Sequence, residues 1–218
     1  MYGLPGDSFY KIKKDINTLK RFKNTHFSCY SLILEEKTIL YHKFQKGDFK
    51  PFDEDKEAKL YYKIQKYLNK NGYIQYETSN FCIPGYECQY NINTWKNGRY
   101  LGIGTNASYY IDNIRYTNIR NIKKYFEYLD NISTELYCEK YVVDKQTEMY
   151  EEIMLGLRLT NGINVEEFNT KYNVDLFEEF ENINFLIKND LLIFKENKIF
   201  IPENKMYISN SIINKILD

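Results

Sequence analysis

The chain has 218 residues, of which 43% are hydrophobic and 28% charged, a composition typical of a folded globular protein and not of a disordered one. Lysine plus arginine and aspartate plus glutamate number 30 each, so no excess charge favours nucleic acid or an anionic membrane surface. No apolar run approaches the roughly 18 residues that a membrane span requires, and the N-terminus has no signal-peptide pattern.

The first third of the chain alternates helical and strand patterns. It opens on a glycine-bracketed proline turn, MYGLPGDS, of a kind that normally follows a buried strand and leads into a helix. Apolar residues at spacings of three and four predict a helix over 9–19, capped by Ser8 or Asp7. Residues 26–34, HFSCYSLIL, predict a buried strand, and a polar stretch then leads to a second helix over about 53–71. This alternation predicts a parallel α/β sheet or barrel.

The pattern then changes. Residues 73–120 contain short strands separated by Pro-Gly and Asn-Gly turns, followed by a short helix over 121–130 and a longer helix around 144–159. From residue 163 to the end, the pattern indicates helix, helix, hairpin and helix, with the hairpin turn near residues 196–197. That order is typical of a winged-helix domain.

The glycine-rich segment GIGTNA (102–107) suggests a phosphate-binding loop, but the residues around it do not complete one. It lacks the Lys-Ser/Thr of a P-loop, and its glycines do not match the dinucleotide-binding fingerprint. A tight turn that requires small residues is the favoured interpretation.

The cysteines and histidines do not form a recognisable metal or catalytic motif. The nearest two cysteines are six residues apart, unlike the spacing that binds zinc or an iron–sulfur cluster. Two histidines are too few for a histidine-rich metal site, and both are interpreted as structural or solvated. Scattered thiols are typical of reduced cysteines and predict a cytoplasmic location. The residues concerned are Cys29, Cys82, Cys88, Cys138, His26 and His42.

The winged-helix pattern raises the possibility of nucleic-acid binding. Residues 163–218 contain six lysines, no arginine and ten acidic residues, which gives a net charge of minus four. Because a DNA-reading module needs positive charge, this tail is predicted to pack or to contact protein, and no nucleic-acid partner is expected.

Several segments, taken together, resemble one family. They are similar to the later part of the radical S-adenosylmethionine (SAM) enzymes related to oxygen-independent coproporphyrinogen III oxidase, and within that group to the HemW-like haem-chaperone branch. The resemblance covers nearly the whole chain and is most specific over 71–95. The segments are YGLPGDS (2–8), HFSCYSLILEEKTILY (26–41), NGYIQYETSNFCIPGYECQYNINTW (71–95), YLGIG (100–104) and LGLRLTNGI (155–163).

The resemblance implies an α/β plus α+β fold in three parts. Residues 1–72 would be the late strands and helices of a partial β/α (TIM-like) radical SAM barrel. Residues 73–135 would form a β-rich lobe, and residues 136–218 a helical, winged-helix-like C-terminal domain. In such proteins YGLPG follows a late barrel strand, which accounts for the turn at the start of the chain.

The resemblance also implies three cofactors or ligands: a [4Fe–4S] cluster, SAM and haem. In the family, a CxxxCxxC loop upstream of YGLPG holds the cluster, and the four cysteines of this chain lack that spacing. We therefore expect the chain not to be catalytic by itself, while binding of haem or a porphyrin remains possible.

Two sets of candidate binding residues follow from the resemblance. Gly3, Pro5, Gly6 and Tyr30 would lie at the SAM side of the barrel rim. The haem-side motif would supply Cys88, Tyr90, Asn91 and Trp95.

The haem-side motif departs from the family pattern at two positions. Tyr90 and Ser108 stand where the family usually has histidine. Since tyrosinate and thiolate also serve as haem ligands, Tyr90 or Cys88 is the candidate ligand. The alternative is that both residues pack against Trp95 in the core.

Three functions remain open. The first is a haem-chaperone-like protein that binds and transfers haem. The second is a fragment or subunit of a complete radical SAM enzyme, in which an N-terminal-half polypeptide or a homodimer would cover the open barrel edge. The third is a winged-helix interaction module.

Overall fold

The computed structural model describes residues 1–218 and shows helices mixed with three small sheets. Both predicted helices of the first part are confirmed. Ser8 caps the first, accepting a hydrogen bond from the Lys11 amide, and Asp53 caps the long one by accepting from the Lys56 amide. A short helix also forms in the predicted polar stretch. The elements are α1 (Phe9–Lys20), β1 (His26–Ser28), α2 (Ile39–Gln45), α3 (Glu54–Lys70), β2 (Ile74–Gln75) and β3 (Asn80–Cys82).

The first sheet has the order β1-β3-β2, and both pairings are antiparallel, so the prediction of a parallel sheet is wrong for these strands. The strand predicted over 26–34 is wrong in length, because β1 keeps its partner β3 only as far as Ser28 and Ile33 is 71% exposed. The one parallel pairing is an isolated bridge between Tyr2 and Ser31. Beyond Ser28 the backbone turns to that bridge, where the Leu32 amide donates to the Tyr2 carbonyl at 2.9 Å.

The middle of the chain forms a second antiparallel sheet of order β4-β5-β6. The predicted short helix is confirmed as α5, whereas α4 and β6 were not predicted. The elements are α4 (Gln89–Trp95), β4 (Ser108–Ile111), β5 (Ile114–Asn118), α5 (Ile122–Asp130) and β6 (Tyr137–Val142).

The last part contains the predicted long helix and the predicted hairpin. Glu196 and Asn197 form the hairpin turn, and both have positive φ angles, 51° and 59°, as a two-residue type I′ turn requires. The third sheet has the order β7-β9-β8. The elements are α6 (Lys145–Gly156), β7 (Ile163–Asn164), α7 (Val165–Tyr172), α8 (Leu176–Glu179), α9 (Asn182–Lys188), β8 (Ile193–Lys195), β9 (Lys198–Phe200) and α10 (Ser209–Leu217).

One hydrophobic core joins the first and last parts of the chain. Its 28 buried residues run from Tyr2 to Ile216, and only Tyr73 and Phe81 come from the segment between residues 73 and 135. The β4-β5-β6 sheet therefore lies outside this core and depends on other contacts. None of the helices has the length and apolarity needed to cross a membrane.

The turn before β7 makes a testable packing prediction. Gly162 has φ +60°, and a Cβ there would lie 1.9 Å from the Ile199 carbonyl oxygen. Gly72 has φ +84° but nothing within 4 Å of its Cβ position. Both changes place alanine at a positive φ, but only Gly162→Ala adds a clash with Ile199, so it should lower the free energy of unfolding by about 1–3 kcal/mol more than Gly72→Ala. Urea denaturation of both variants measures this, and equal losses would contradict the packing described.

Candidate functional site

The segments that carry the family resemblance lie side by side at one place in the fold. Four backbone hydrogen bonds join YGLPG to the HFSCYS segment, that segment to YETSN, and YETSN to LGLRLTN. YETSN and LGLRLTN also meet through an antiparallel bridge. The bonds are Tyr2 N to Tyr30 O (2.9 Å), Cys29 N to Ser79 O (2.7 Å), Thr78 N to Arg158 O (3.0 Å) and Thr160 N to Tyr76 O (3.1 Å).

A cavity of about 200 Å³ opens at this junction, and we call it the junction cavity. Its wall combines aromatic, hydroxyl and amide side chains with one cation. The sequence patterns did not single out that cation, Arg158, although it is a lone charge within the apolar run LGLRL. The lining residues are Tyr2, Tyr30, Ser31, Ile33, Tyr61, Thr78, Ser79, Arg158, Met206, Tyr207, Ser209 and Asn210.

Arg158 is half-buried and forms no ion pair. Its Nε–H donates to the Met154 carbonyl at 3.2 Å, and its guanidinium lies over the Trp95 ring at 5.5 Å from the ring centre. Trp95, a predicted haem-side residue, therefore holds Arg158 by a cation–π contact.

Glu77, at the bridge beside Arg158, is fully buried. One of its oxygens accepts from the Ser79 amide (3.2 Å) and the Thr78 hydroxyl (3.0 Å), while Oε1 has no partner. Burial raises the pKa of this carboxyl, and the hydrogen bonds offset that effect only in part.

This pKa predicts how stability changes with pH. A carboxyl whose pKa is raised in the folded state binds its proton more tightly there, so its contribution is lost as the pH rises above the ordinary glutamate value. Glu77→Gln replaces the carboxyl by an amide that does not titrate, so the variant does not lose this stability as the pH rises. The variant should gain stability relative to the parent between pH 4.5 and 7.5. Urea unfolding at both pH values tests the sign, and a difference that does not change with pH would contradict it.

Helix α4 carries the four predicted haem-side residues on different faces. Cys88 is its N-terminal cap residue, half-buried, with no capping hydrogen bond from its side chain. Asn91 donates to the Tyr76 hydroxyl at 3.4 Å, and Trp95 lies under Arg158. Tyr90 is 60% exposed, and its hydroxyl has no hydrogen-bond partner within the chain.

Neither candidate haem ligand belongs to the hydrophobic core. Cys88 and Tyr90 are both absent from the buried cluster, so the interpretation that they pack there against Trp95 is wrong for Tyr90 and unsupported for Cys88. Ser108 lies on β4, exposed, bonded to the Thr117 hydroxyl at 3.0 Å. It borders a separate cavity of about 350 Å³ that also contacts Thr94 of α4.

The four predicted SAM-side residues divide between two cavities. Gly3, Pro5 and Gly6 line a cavity of about 210 Å³ beside the start of α3, whereas Tyr30 lines the junction cavity. Gly3 is buried with φ +82°, a backbone conformation that favours glycine at this turn.

His26 lies nearer to the haem-side motif than its place in the sequence indicates. Its Nε2 lies 2.8 Å from the Tyr76 hydroxyl, the same hydroxyl that accepts from Asn91. Burial lowers the pKa of His26, which favours the neutral ring. No local signal could have found this link, since 50 residues separate the two partners.

A further cavity, of about 610 Å³, also borders α4. It is lined by Gln89, Ile92 and Lys96 of that helix and by residues 159–162, but by none of the predicted haem-side residues. The junction cavity is not lined by these four residues either, but it contains Tyr30 and Arg158, and Arg158 lies over Trp95. We therefore place the candidate site at the junction cavity and the exposed face of α4.

The donor set of this chain does not fit an iron–sulfur cluster. No three histidine, cysteine, aspartate or glutamate side chains converge as metal ligands. Burial raises the pKa of the Cys29 and Cys82 thiols to about 11, which keeps them protonated at neutral pH. These cysteines therefore do not supply the ligand set that such a cluster requires.

Comparison with known proteins relates the whole chain to one group. Residues 143–204 match the model of the HemN C-terminal domain. The chain is 36% identical over 219 residues to haem chaperone HemW of Lactococcus lactis subsp. lactis (strain IL1403) and 30% identical over 218 residues to that of Bacillus subtilis (strain 168). Each alignment covers 100% of this chain and 57% of the relative.

Over its whole length the chain is similar to the haem chaperones named HemW. Its fold resembles that of coproporphyrinogen III oxidase (HemN) from Escherichia coli, described as a radical SAM enzyme, with a TM-score of 0.75 and 12% sequence identity. That match covers 99% of this chain and 53% of HemN. The chain thus corresponds to a C-terminal portion of the family and spans a little more than half the length of its relatives.

Proposed function

We propose that this chain binds haem and passes it on, as a haem-chaperone-like protein of the HemN–HemW family. The observation that carries the proposal is the alignment of its full length with proteins named haem chaperone HemW. Because the chain covers 57% of those relatives, the proposal concerns the part played by these 218 residues.

The exposed start of α4 is the proposed haem-contacting surface. Tyr90 offers an unbonded phenol to solvent, and Cys88 offers a thiol that is not used as a helix cap. Oxygen and sulfur ligands of this kind bind haem iron in other proteins. When haem is bound, its iron supplies the ligation chemistry, while the chain supplies the ligand and the helix that positions it.

Retention of haem tests this proposal. The purified chain is mixed with one equivalent of haem and passed through a desalting column. We expect the haem absorption band to elute with the protein. Elution of all haem in the small-molecule fractions would contradict the proposal.

A second candidate function is that the chain forms one part of a radical SAM enzyme. An apolar cavity of about 240 Å³, lined among others by Met1, Ile12, Ile16 and Phe27, lies at the proposed open edge of the barrel remnant. We propose that an N-terminal-half polypeptide, the preceding part of a longer chain, or a second copy covers it. The intact mass of the protein in its source cells tests this: a mass well above 26.3 kDa supports a longer chain.

We propose the division into a barrel remnant (1–72), a β-rich lobe (73–135) and a winged-helix-like domain (136–218), supported by the HemN likeness. The β1–β3 and β5–β6 pairings cross the two proposed boundaries. We further propose a cytoplasmic location and no nucleic-acid partner, supported by the scattered thiols and the acidic tail.

A further inference from the structure

We infer that the junction cavity is a carboxylate-binding subsite, with Arg158 as the residue that pairs with the carboxylate. Building on the proposed function, the group is a propionate of haem or another porphyrin, and the second source of the same chemistry is the carboxylate of an amino-acid ligand. The subsite is distinct from the candidate iron ligands Cys88 and Tyr90, neither of which lines this cavity.

The first argument is the unused hydrogen-bonding capacity of Arg158. Only its Nε–H has an acceptor within the chain, and the two terminal nitrogens have none. By contrast, Arg115 is bonded to Glu151 through two nitrogens. A half-buried guanidinium with a free fork of N–H donors matches the geometry of a carboxylate.

The second argument is that Arg158 is held in place before any ligand arrives. The Met154 carbonyl fixes its Nε, and the Trp95 ring supports the guanidinium. Its own backbone carbonyl accepts from the Thr78 amide, which ties it to the floor of the cavity. Preorganisation of this kind lowers the entropic cost of binding.

The size and lining of the cavity limit what can enter it. About 200 Å³ is less than the roughly 300–1,000 Å³ of pockets that enclose a whole drug-sized ligand, so a substituent and not a macrocycle fits. Tyr30, Ser79 and Asn210 line it, and their side chains have no hydrogen-bond partner within the chain. They are additional donors for the second carboxylate oxygen.

Neither nearby carboxyl group, Glu77 or Glu57, forms an ion pair with Arg158. Burial raises the pKa of both carboxyl groups, and the charge of Glu77 acts on Arg158 only by raising its pKa against the effect of burial. Glu57 lies beside Ser31 and Tyr207, so we expect the ligand carboxylate to bind next to Arg158 and away from this group.

The test compares variants of the full 218-residue chain. Arg158→Gln removes the positive charge. Arg158→Lys keeps a positive charge but loses the paired N–H donors of the guanidinium. Arg120→Gln is the matched control, because Arg120 is exposed and has no hydrogen bond or ion pair from its side chain. Circular dichroism and thermal unfolding establish that each variant is folded. The ligands are haem, haem dimethyl ester, methionine and SAM, each titrated separately.

A propionate subsite predicts that Arg158→Gln weakens haem binding about ten- to hundredfold, that Arg158→Lys gives a smaller loss, and that Arg120→Gln gives none. It also predicts that the dimethyl ester binds the parent and Arg158→Gln equally. An amino-acid source instead gives Arg158-dependent binding of methionine or SAM, with haem affinity unaffected.

The two proposals fail in different ways. If the parent binds haem and Arg158→Gln binds every ligand as tightly as the parent does, the subsite is wrong and the haem proposal survives. If the parent does not bind haem but binds methionine or SAM through Arg158, the haem proposal fails and the subsite stands. Binding of none of the four ligands overturns both.

Discussion

One of two substitutions, Cys88→Ala or Tyr90→Phe, is expected to lower the affinity of this chain for haem by at least about tenfold. The affected variant is the one that lacks the side chain that ligates the iron. Loss of a residue that only supports a metal ligand typically costs 10- to 100-fold, so loss of the ligand itself should cost at least as much. The other variant should bind as the parent does, because the two side chains project from different positions at the start of α4.

Absorbance titration of each variant with haem measures this effect and also identifies the ligand, since thiolate and phenolate ligation give different spectra. The chain supplies matched controls. Cys138→Ala changes an exposed thiol on β6, and Tyr10→Phe changes a tyrosine that is 77% exposed on α1. If all four variants bind haem with the affinity of the parent, neither Cys88 nor Tyr90 is the ligand, and His26 becomes the next residue to change.

Arg115→Ala is expected to lower the free energy of unfolding by about 3 kcal/mol. Arg115 on β5 donates to both carboxylate oxygens of Glu151 on α6, at 2.9 and 2.7 Å, and to the Asn97 side chain at 2.8 Å. The side chains of the ion pair are 17% and 15% exposed, and the guanidinium also lies 4.4 Å from the centre of the Tyr110 ring. Removing it leaves the Glu151 charge largely buried without its partner.

The effect should be large because this network joins the β4-β5-β6 sheet to a helix of the main core, while the sheet itself lies outside that core. Arg99→Ala is the control: its ion pair with Asp112 is 3.9 Å long, and both side chains are mostly exposed. Surface pairs of this kind contribute about 0–1 kcal/mol. Equal losses from Arg115→Ala and Arg99→Ala in urea denaturation would show that the buried network does not anchor the sheet.

The elements that could be predicted from sequence are those with strong local signals. Helices α1 and α3 have an apolar stripe and a capping residue, and the β8–β9 hairpin has Glu196 and Asn197 at its turn. Helix α4 was missed because its segment, QYNINTW, is short and largely polar and because its cap residue, Cys88, is not one of the preferred helix caps. Strand β6 was missed because five of its six residues are exposed, so its order comes from pairing with β5.

Some residues of the candidate site could be predicted from the sequence, and others could not. Resemblance to the family identified the segments and the residues Cys88, Tyr90, Asn91 and Trp95. It did not identify Arg158, whose importance depends on the contact with Trp95, 63 positions earlier in the chain, and on backbone bonds to Thr78. Such relations arise only when distant segments pack together, and periodicity within one segment does not contain them.

The most direct test of the central claim is a titration of the purified 218-residue chain with haem, followed by absorbance, beside an unrelated protein of similar size. We predict saturable binding of one haem per chain, with a spectrum that shows iron ligation by a side chain. A linear increase without saturation, equal to that of the unrelated protein, would contradict the assignment of haem binding to this chain.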